Sequence, residues 1–251
     1  MPLVRFRWLN RLTEGAVDLL YPAQCLACYA ELEETPDRIG FCLDCRDEMG
    51  RGDWPVCQRC AARVPKIPGA VPECAHCCEE KLWFDRALAL GEYEGLLRSQ
   101  VLAMKTDRSE RLAGALGQLI AVRMGDELRV LQPDAIVPVP MHAWRRLARG
   151  TNPPAALATT LGKELGLPTF SRLLVRSRNT QPQVGLSRPA RFRNIRGEMR
   201  VRKSYSMEAP HVLLVDDTLT TGATCSEAAR MLKRAGAAKV TVVVAARTLI
   251  Y

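Results

Sequence analysis

Blocks of apolar residues alternate with amphipathic stretches through the C-terminal two thirds of the chain. Short apolar runs that predict buried strands occupy residues 86–93, 134–139, 173–175 and 212–215. Helical periodicity occupies residues 96–104, 111–124, 153–165 and 225–234. Strands that alternate with helices are typical of an α/β fold with an open parallel sheet. We therefore expect one α/β domain in this part of the chain.

The sequence HVLLVDDTLTTGAT, residues 211–224, carries the most specific pattern. The predicted strand at 212–215 ends at Asp216 and Asp217, and a helix follows at 225–234. Between them lie small and hydroxylic residues, namely Thr218, Leu219, Thr220, Thr221, Gly222, Ala223 and Thr224. Ligands bind beyond the carboxyl ends of parallel strands, and a helix N-terminus attracts anions. This order predicts a sugar-phosphate site, with the acids on ribose hydroxyls and the loop on a 5′-phosphate.

Individual residues of this loop support the same interpretation. Gly222 lets the backbone approach an anion closely, and Thr220, Thr221 and Thr224 offer hydroxyl donors. The loop has neither the lysine of a Walker motif nor a GxGxxG pattern. The alternative is an acidic turn with an ordinary helix cap, but a cap needs one such residue and not the whole string. For Cys225 we favour a packing role over a thiol whose pKa is lowered by the helix N-terminus.

Eight cysteines form an internal repeat near the N-terminus. Four CxxC pairs stand at Cys25 and Cys28, Cys42 and Cys45, Cys57 and Cys60, and Cys74 and Cys77. Adding 32 to each of the first four positions gives the last four. Each half reads CxxC, thirteen residues, CxxC, which suits a four-thiolate zinc ribbon. The repeat predicts two structural zinc ions.

Other arrangements of these cysteines are compatible with the sequence. Disulfides and iron–sulfur clusters are the competing chemistries, but CxxC pairs in a chain without a signal peptide favour metal in a reducing cytoplasm. The repeat favours one zinc per half, while an interleaved pairing of the first and third pairs stays open. His76 and Cys78 lie beside Cys77, and the repeat favours Cys77 over either neighbour as the metal ligand. About 55 residues with interspersed Pro, Gly and charge need metal to fold.

The first twenty residues predict an amphipathic helix, with apolar positions every four residues from Val4 to Leu20. Arg11, Glu14 and Asp18 interrupt any continuous apolar segment, so we expect no signal peptide. No apolar stretch approaches the roughly 20 residues of a membrane span. The sequence thus predicts a soluble, cytoplasmic protein without a transmembrane segment.

Two basic segments accompany the phosphate motif. Arg145, Arg146 and Arg149 follow the strand at 134–139 in a proline-rich loop, where guanidinium groups could hold a diphosphate. A solvated basic turn is the alternative, and His142 in that loop has a weak claim as a proton donor.

The second segment, residues 171–203, has ten Lys or Arg and one acid. Its net charge of +9 equals that of the whole chain. It could close over an anion, bind single-stranded nucleic acid or form a solvated surface. We take Arg188, Arg191 and Arg193 as its candidate DNA contacts, with Phe170, Phe192 and Tyr205 as nearby stacking candidates.

These motifs resemble known families. The stretch VLLVDDTLTTGAT resembles the phosphoribosyl-diphosphate (PRPP) signature of type I phosphoribosyltransferases. Some purine-salvage members have an acid where this chain has Thr220, which argues against hypoxanthine or guanine as substrate. Together with the CxxC pairs, the segment from Tyr93 to Lys105 and the RGTN sequence at 149–152, the chain is similar to the ComF/GntX family.

This resemblance implies a double zinc ribbon at residues 1–82 and a type I phosphoribosyltransferase-like open parallel sheet at 83–251. It further implies binding of PRPP with Mg²⁺, catalytic roles for Asp216 and Asp217, and a link to DNA uptake in natural competence. Two functions are compatible with it. One is an enzyme that transfers phosphoribosyl groups, and the other is a non-catalytic adaptor for single-stranded DNA or phosphate. In the second case the ribbons recruit competence partners such as a DNA translocase.

Overall fold

The computed structural model describes residues 22–32, 39–50, 52, 54–66, 74–78, 80–141, 147, 150–177, 187–202, 205 and 208–248. The helix predicted before Leu20 lies outside these residues, as do His142, Arg145, Arg146 and Arg149. Among the helices in the described ranges, none combines the length and the apolar character needed to cross a membrane.

Six helices and six strands are described. The helices are α1 (Leu43–Met49), α2 (Gly95–Met104), α3 (Arg111–Val130), α4 (Pro153–Leu165), α5 (Arg188–Ile195) and α6 (Ala223–Arg234). The strands are β1 (Arg86–Glu92), β2 (Ala135–Pro138), β3 (Leu174–Arg176), β4 (Met199–Val201), β5 (His211–Leu219) and β6 (Lys239–Arg247). Four strands form a sheet in the order β1-β6-β5-β2, and every pairing in it is parallel. The predicted open parallel α/β sheet is confirmed.

Strands β3 and β4 form a separate antiparallel pair. Side chains of the main sheet alternate between two hydrophobic cores, as the period of two in a strand requires. On β1, Leu88 and Leu90 enter the first core, whereas Ala87 and Ala89 enter the second. The first core includes α2, α3 and α4; the second includes α6 and the β3–β4 pair. The sheet is thus covered on both faces.

The two cysteine modules share these two cores. Ribbon 1 (residues 22–50) contributes Ile39, Phe41 and Met49 to the first core. Ribbon 2 (residues 54–80) contributes Ala61 and Ala62 to the second. Because the cores lie on opposite faces of the sheet, the two ribbons also lie on opposite faces. The boundary predicted between residues 82 and 83 stays a prediction.

The sequence repeat is also a structural repeat. The isolated bridge between Gln24 and Glu31 recurs, 32 residues later, between Val56 and Arg63. The hydrogen bond from the Cys25 N–H to the Ala30 carbonyl, 2.8 Å, corresponds to that from Cys57 to Ala62, 2.7 Å. Tyr29 and Ala61, again 32 apart, both have a left-handed backbone, with φ of 63° and 55°. The spacing therefore specifies one local fold twice.

Candidate functional site

The eight repeated cysteines form two four-thiol clusters. One contains Cys25, Cys28, Cys42 and Cys45, and the other Cys57, Cys60, Cys74 and Cys77, with all sulfurs of a cluster within 4.8 Å of one another. Pairing is therefore sequential, and His76 and Cys78 belong to neither cluster. A tetrahedron with Zn–S bonds of about 2.3 Å places its sulfurs about 3.8 Å apart. The Sγ–Sγ distances of 3.7 Å for Cys28–Cys42 and 3.8 Å for Cys57–Cys77 agree with it. These are two four-cysteine sites that fit zinc.

Backbone donors stabilise one of these sulfurs, that of Cys25, as a thiolate. The N–H groups of Ala27 and Cys42 donate to Cys25 Sγ at 3.5 and 3.4 Å. Burial alone raises the pKa of the Cys25 thiol, but the N–H groups of Cys28, Cys42 and Ala27 outweigh it and lower this pKa to about 6. A metal ligand must be deprotonated, so this network favours metal binding at neutral pH.

The phosphate motif forms the turn between β5 and α6, but its strand is longer than we expected. Residues 216–219 continue β5, because Asp216 pairs with Val244 and Thr218 with Ala246 on β6. The prediction that the strand ends at the acids is therefore wrong. The connecting turn shortens to Thr220, Thr221 and Gly222, and α6 begins at Ala223 instead of Cys225.

This extension separates the two acids, because consecutive strand residues point to opposite faces. Asp216 is buried; its Oδ1 accepts the Asp217 N–H at 2.8 Å, and its Oδ2 lies 3.6 Å from Cys225 Sγ. Burial, and then the neighbouring Asp217 carboxylate, raise the pKa of Asp216 to about 7. Asp216 therefore acts from the interior and is not an open carboxylate beside Asp217.

Asp217 is half-buried and forms an ion pair with Lys105, Nζ to Oδ2 3.2 Å. Lys105 follows α2, whose turn into α3 also contains Glu110. Glu110 Oε1 accepts the Asn152 N–H at 2.7 Å, which holds the end of the basic loop. The segment between α2 and α3 thus contacts both Asp217 on β5 and Asn152 of the RGTN sequence. We had included Lys105 only as part of a family motif, and its ion pair is a feature that sequence reasoning missed.

Several side chains of residues 218–224 are buried or hydrogen-bonded within this segment. Leu219 and Ala223 are buried in the second core, and the Thr221 hydroxyl accepts the Ala223 N–H at 3.4 Å. The Thr218 hydroxyl donates to Asp217 Oδ1 at 3.0 Å. Thr220 and Thr224 are partly exposed. The N-terminus of α6 follows directly, and helix N-termini present N–H groups that suit an anion.

Gly222 has a φ of 82°, a conformation that residues with a Cβ rarely adopt. An added Cβ would lie 3.3 Å from Leu82 Cδ2 and 3.5 Å from Phe84 Cζ. It would therefore meet apolar side chains just after ribbon 2, a direction that differs from the close approach to an anion that we expected. The glycine is needed for the turn itself.

Cys225 is buried beside the sheet, and burial, followed by the charge of Asp216, raises its thiol pKa well above the ordinary value. The packing role that we favoured is confirmed, and this thiol is not an activated nucleophile.

The candidate DNA-binding arginines lie on α5 in different environments. Arg188 forms an ion pair with Glu80, Nε to Oε1 2.9 Å, and donates to the His76 carbonyl, so it fastens α5 to ribbon 2. Arg191 is half-buried and Arg193 is exposed. Further exposed arginines in this region are Arg172, Arg196, Arg200 and Arg202.

Comparison with known proteins agrees with this architecture. The double zinc ribbon domain matches residues 16–81, and the phosphoribosyl transferase domain matches residues 147–250. DNA utilization protein YhgH of Salmonella typhimurium is 33% identical over 84% of this chain and 98% of its own length. Competence protein F of Haemophilus influenzae is 27% identical over 87% of this chain and 94% of its own.

Among solved structures, purine phosphoribosyltransferase from Pyrococcus horikoshii has 18% identity and a TM-score of 0.30, covering 55% of this chain and 70% of its own. This likeness is too distant to support an argument about function. The two matched domains and the near full-length relatives establish that the chain belongs to the ComF/GntX family.

Proposed function

We propose that the β5–α6 turn binds PRPP together with Mg²⁺. The observation that carries this proposal is the position of the turn. It joins the carboxyl end of a central parallel strand to the N-terminus of α6, and a half-buried carboxylate paired with Lys105 lies beside it. The match to the phosphoribosyl transferase domain over residues 147–250 supports the same ligand class.

In this proposal each group has a separate task. The N–H groups at the start of α6 hold the 5′-phosphate, with help from the Thr220 and Thr224 hydroxyls. Asp217 accepts hydrogen bonds from ribose hydroxyls. Asp216 acts as a positioning residue, because its Oδ1 holds the Asp217 N–H. As diphosphate leaves, the Asp217 carboxylate stabilises positive charge at the anomeric carbon, and cationic groups such as Lys105 balance the departing anion.

The names of the relatives suggest the biological setting. They are called DNA utilization protein and Competence protein F, and we propose that this chain likewise acts in the uptake or use of DNA. A cytoplasmic location and contact with a DNA translocase belong to this proposal. Release of diphosphate from PRPP, measured across a panel of acceptors, distinguishes phosphoribosyl transfer from binding alone.

The ribose assignment is tested by Asp217→Asn, which keeps the side-chain size but weakens the acceptor. Charge-assisted hydrogen bonds contribute roughly 1.5–3 kcal/mol each, so calorimetry should show at least a tenfold loss of PRPP affinity. Asp126→Asn is the matched control, because Asp126 is an exposed acid paired with Arg129 on α3. Equal PRPP affinity in the Asp217 variant and the parent would contradict the assignment.

The exposed arginines around α5 and β4 favour a second property, binding of single-stranded DNA. We propose that Arg191 and Arg193 contact phosphates, whereas Arg188 supports the surface from behind through Glu80. Replacing Arg191 and Arg193 by alanine should weaken binding and flatten its dependence on salt. Arg188→Ala should instead lower the melting temperature. Unchanged DNA affinity of the double variant at every salt concentration would exclude this surface.

A further inference from the structure

Arg247, the last residue of β6, joins ribbon 2 to the β5–α6 turn at residues 220–222, which we call the phosphate turn after its proposed ligand. Its side chain is buried, with 4% of its surface exposed. Nε donates to the carbonyl of Cys60, a zinc ligand of ribbon 2, at 2.8 Å. Nη1 donates to the carbonyls of Leu219 and Thr220 at 2.8 and 2.5 Å, and also to that of Thr248. One guanidinium thus holds both the metal module and the turn that we propose for phosphate.

These bonds have a consequence for the peptide groups of the turn. A trans peptide is planar, so its N–H points opposite to its C=O. The Leu219 and Thr220 carbonyls point at Arg247, and the N–H groups of Thr220 and Thr221, which belong to the same peptides, therefore point away from it. Arg247 turns the Thr220 carbonyl away from an incoming anion and adds a second bond to the Leu219 carbonyl, which also accepts the Thr248 N–H at 3.0 Å. The two N–H donors are thereby directed towards the opposite side of the turn. Its own positive charge lies directly behind them.

Ribbon 2 reaches this position because its tip, the turn at residues 58–61, packs against the sheet. Ala61 is 6% exposed and lines a small cavity with Ala89 of β1 and Arg247. The N–H of Ala87 donates to the Gln58 carbonyl at 3.2 Å. In ribbon 1 the residue equivalent to Ala61 is Tyr29, which is 74% exposed. The contact with the phosphate turn is therefore a property of ribbon 2 and not of the repeated module.

We propose that Arg247 is a positioning residue through which the second zinc site holds the phosphate turn in its binding conformation. The proposal rests on the assignment of the turn to phosphate. Zinc at Cys57, Cys60, Cys74 and Cys77 fixes the Cys60 carbonyl, Arg247 bonds to that carbonyl, and the same guanidinium holds the Leu219 and Thr220 carbonyls. The first zinc site has no equivalent connection among the contacts described for ribbon 1.

The test is Arg247→Lys. Lysine keeps the positive charge but replaces the planar guanidinium by one ammonium group, which cannot bond at once to the Cys60 carbonyl and to the carbonyls of the turn. Arg46→Lys is the matched control. Arg46 is 5% exposed and donates to the Phe41 and Ile39 carbonyls within ribbon 1. Two measurements are made on both variants: affinity for inorganic phosphate and PRPP by calorimetry, and amide hydrogen exchange of residues 219–224. Zinc content is determined in parallel.

We expect Arg247→Lys to retain two zinc ions, to exchange faster at residues 219–224 and to lose at least tenfold in affinity for both ligands. Arg46→Lys should match the parent in the exchange of this turn and in both affinities. Parental exchange and affinity in a folded Arg247 variant would overturn the proposal. So would an equal loss in both variants, because that would indicate general destabilisation.

If Arg247→Lys does not fold, the ligand variants Cys45→Ser and Cys77→Ser decide the matter by hydrogen exchange. Faster exchange of the turn only in the Cys77 variant supports the coupling, and equal exchange in the two contradicts it. If the parent binds neither phosphate nor PRPP, the proposed function fails. The exchange comparison still decides whether ribbon 2 holds the turn.

Discussion

Ribbons 1 and 2 have the same cysteine spacing and the same local hydrogen bonds, yet they attach to the sheet in different ways. Ribbon 1 inserts large apolar side chains, including Ile39, Phe41 and Met49, and leaves its tip in solvent. Among its described residues, ribbon 2 contributes the small apolar Ala61 and Ala62 and the partly buried Val64 besides its cysteines, and it buries its tip. Identical metal chemistry therefore serves two kinds of interface.

The two faces of β1 explain part of this difference. Leu88 and Leu90 point into the core that ribbon 1 joins and provide bulk for hydrophobic packing, whereas Ala87 and Ala89 point into the core that ribbon 2 joins. Small residues allow the backbone of ribbon 2 to approach β1 closely enough for a direct hydrogen bond, Ala87 N–H to Gln58 carbonyl. Arginines complete that interface, with Arg188 bound to Glu80 and Arg247 to Cys60. Ribbon 1 also has an ion pair, between Asp47 and Arg123, but both side chains are exposed. We conclude that ribbon 1 is attached through large buried side chains and ribbon 2 through smaller ones together with arginine contacts.

The largest effect should come from loss of metal, and it tests whether the ribbons are equivalent as zinc sites. The parent should contain two zinc ions per chain, and Cys45→Ser and Cys77→Ser one each. Cys45 and Cys77 occupy equivalent positions in the repeat, and their exposed fractions are 6% and 4%. Structural zinc contributes an apparent free energy of roughly 10–16 kcal/mol in isolated fingers, so each ribbon should unfold locally without its ion.

Elemental analysis of protein purified without added metal, with circular dichroism, checks this. A parent with no zinc and oxidised cysteines would refute the metal assignment for both ribbons. Loss of both ions from either single variant would show that the sites are not independent.

A core truncation in ribbon 1 should have the next largest effect. Phe41 is fully buried in the first core, and Phe→Ala at such sites costs about 3–5 kcal/mol. Denaturant unfolding of Phe41→Ala should show this loss, while phosphate affinity of the folded fraction stays at the parental value. Tyr29→Ala, in the exposed tip of the same ribbon, should change stability by about 0.5 kcal/mol or less. A small effect of Phe41→Ala would mean that ribbon 1 is not attached by burial.

The sequence predicted what depends on local spacing and missed what depends on docking. Ligand identity follows from CxxC spacing, because a zinc tetrahedron is built from short segments, and the parallel sheet follows from apolar runs between amphipathic helices. The opposite placement of the ribbons does not follow, because the repeat is the same in both. The fold class and the metal sites were accordingly predictable, and the interfaces were not.

The phosphate turn shows the same limit at the scale of single residues. Asp216 and Asp217 looked like the end of a strand because acids interrupt an apolar run, but pairing with β6 carries β5 on to Leu219. That pairing divides the acids between two faces, which no local pattern could indicate. Arg247 had one visible signal: it is a charged residue that ends the apolar run of β6. Its partners, however, come from segments 187 and 28 residues away.

A smaller effect should come from Gly222, where the phosphate turn meets the segment after ribbon 2. Gly222→Ala forces an alanine into a left-handed conformation, which costs about 1–2 kcal/mol. Its Cβ would also press on Leu82 Cδ2 at 3.3 Å. The control is Gly166→Ala at the end of α4, where φ is 70° and nothing lies within 4 Å of the added Cβ. Both variants should lose stability, measured by urea unfolding, with the larger loss in Gly222→Ala because of Leu82, but only Gly222→Ala should weaken phosphate binding. Equal phosphate affinity in the two would place the anion elsewhere.

The smallest effect concerns acid stability of the sheet, which must be separated from acid release of zinc. His211, at the start of β5, has Nδ1 2.9 Å from the Leu131 carbonyl and Nε2 2.8 Å from Thr241 Oγ1. A neutral imidazole satisfies both by donating from Nδ1 and accepting at Nε2. Burial lowers the pKa of His211 below its ordinary value of 6.5, and the charge of Lys239 adds to this effect.

A depressed folded-state pKa means that the unfolded chain binds the proton first as the pH falls. The contribution of His211 to stability is therefore complete above about pH 6.5 and is lost below it, by at most about 1.4 kcal/mol per pH unit. His211→Gln should lower stability at pH 8 but flatten its decline between about pH 7 and about pH 5.5. Urea unfolding at each pH, with zinc content measured on the same samples, checks this. An identical decline in the variant, with zinc retained, would show that His211 is not the titrating group; a decline that follows zinc loss would assign acid sensitivity to the ribbons instead.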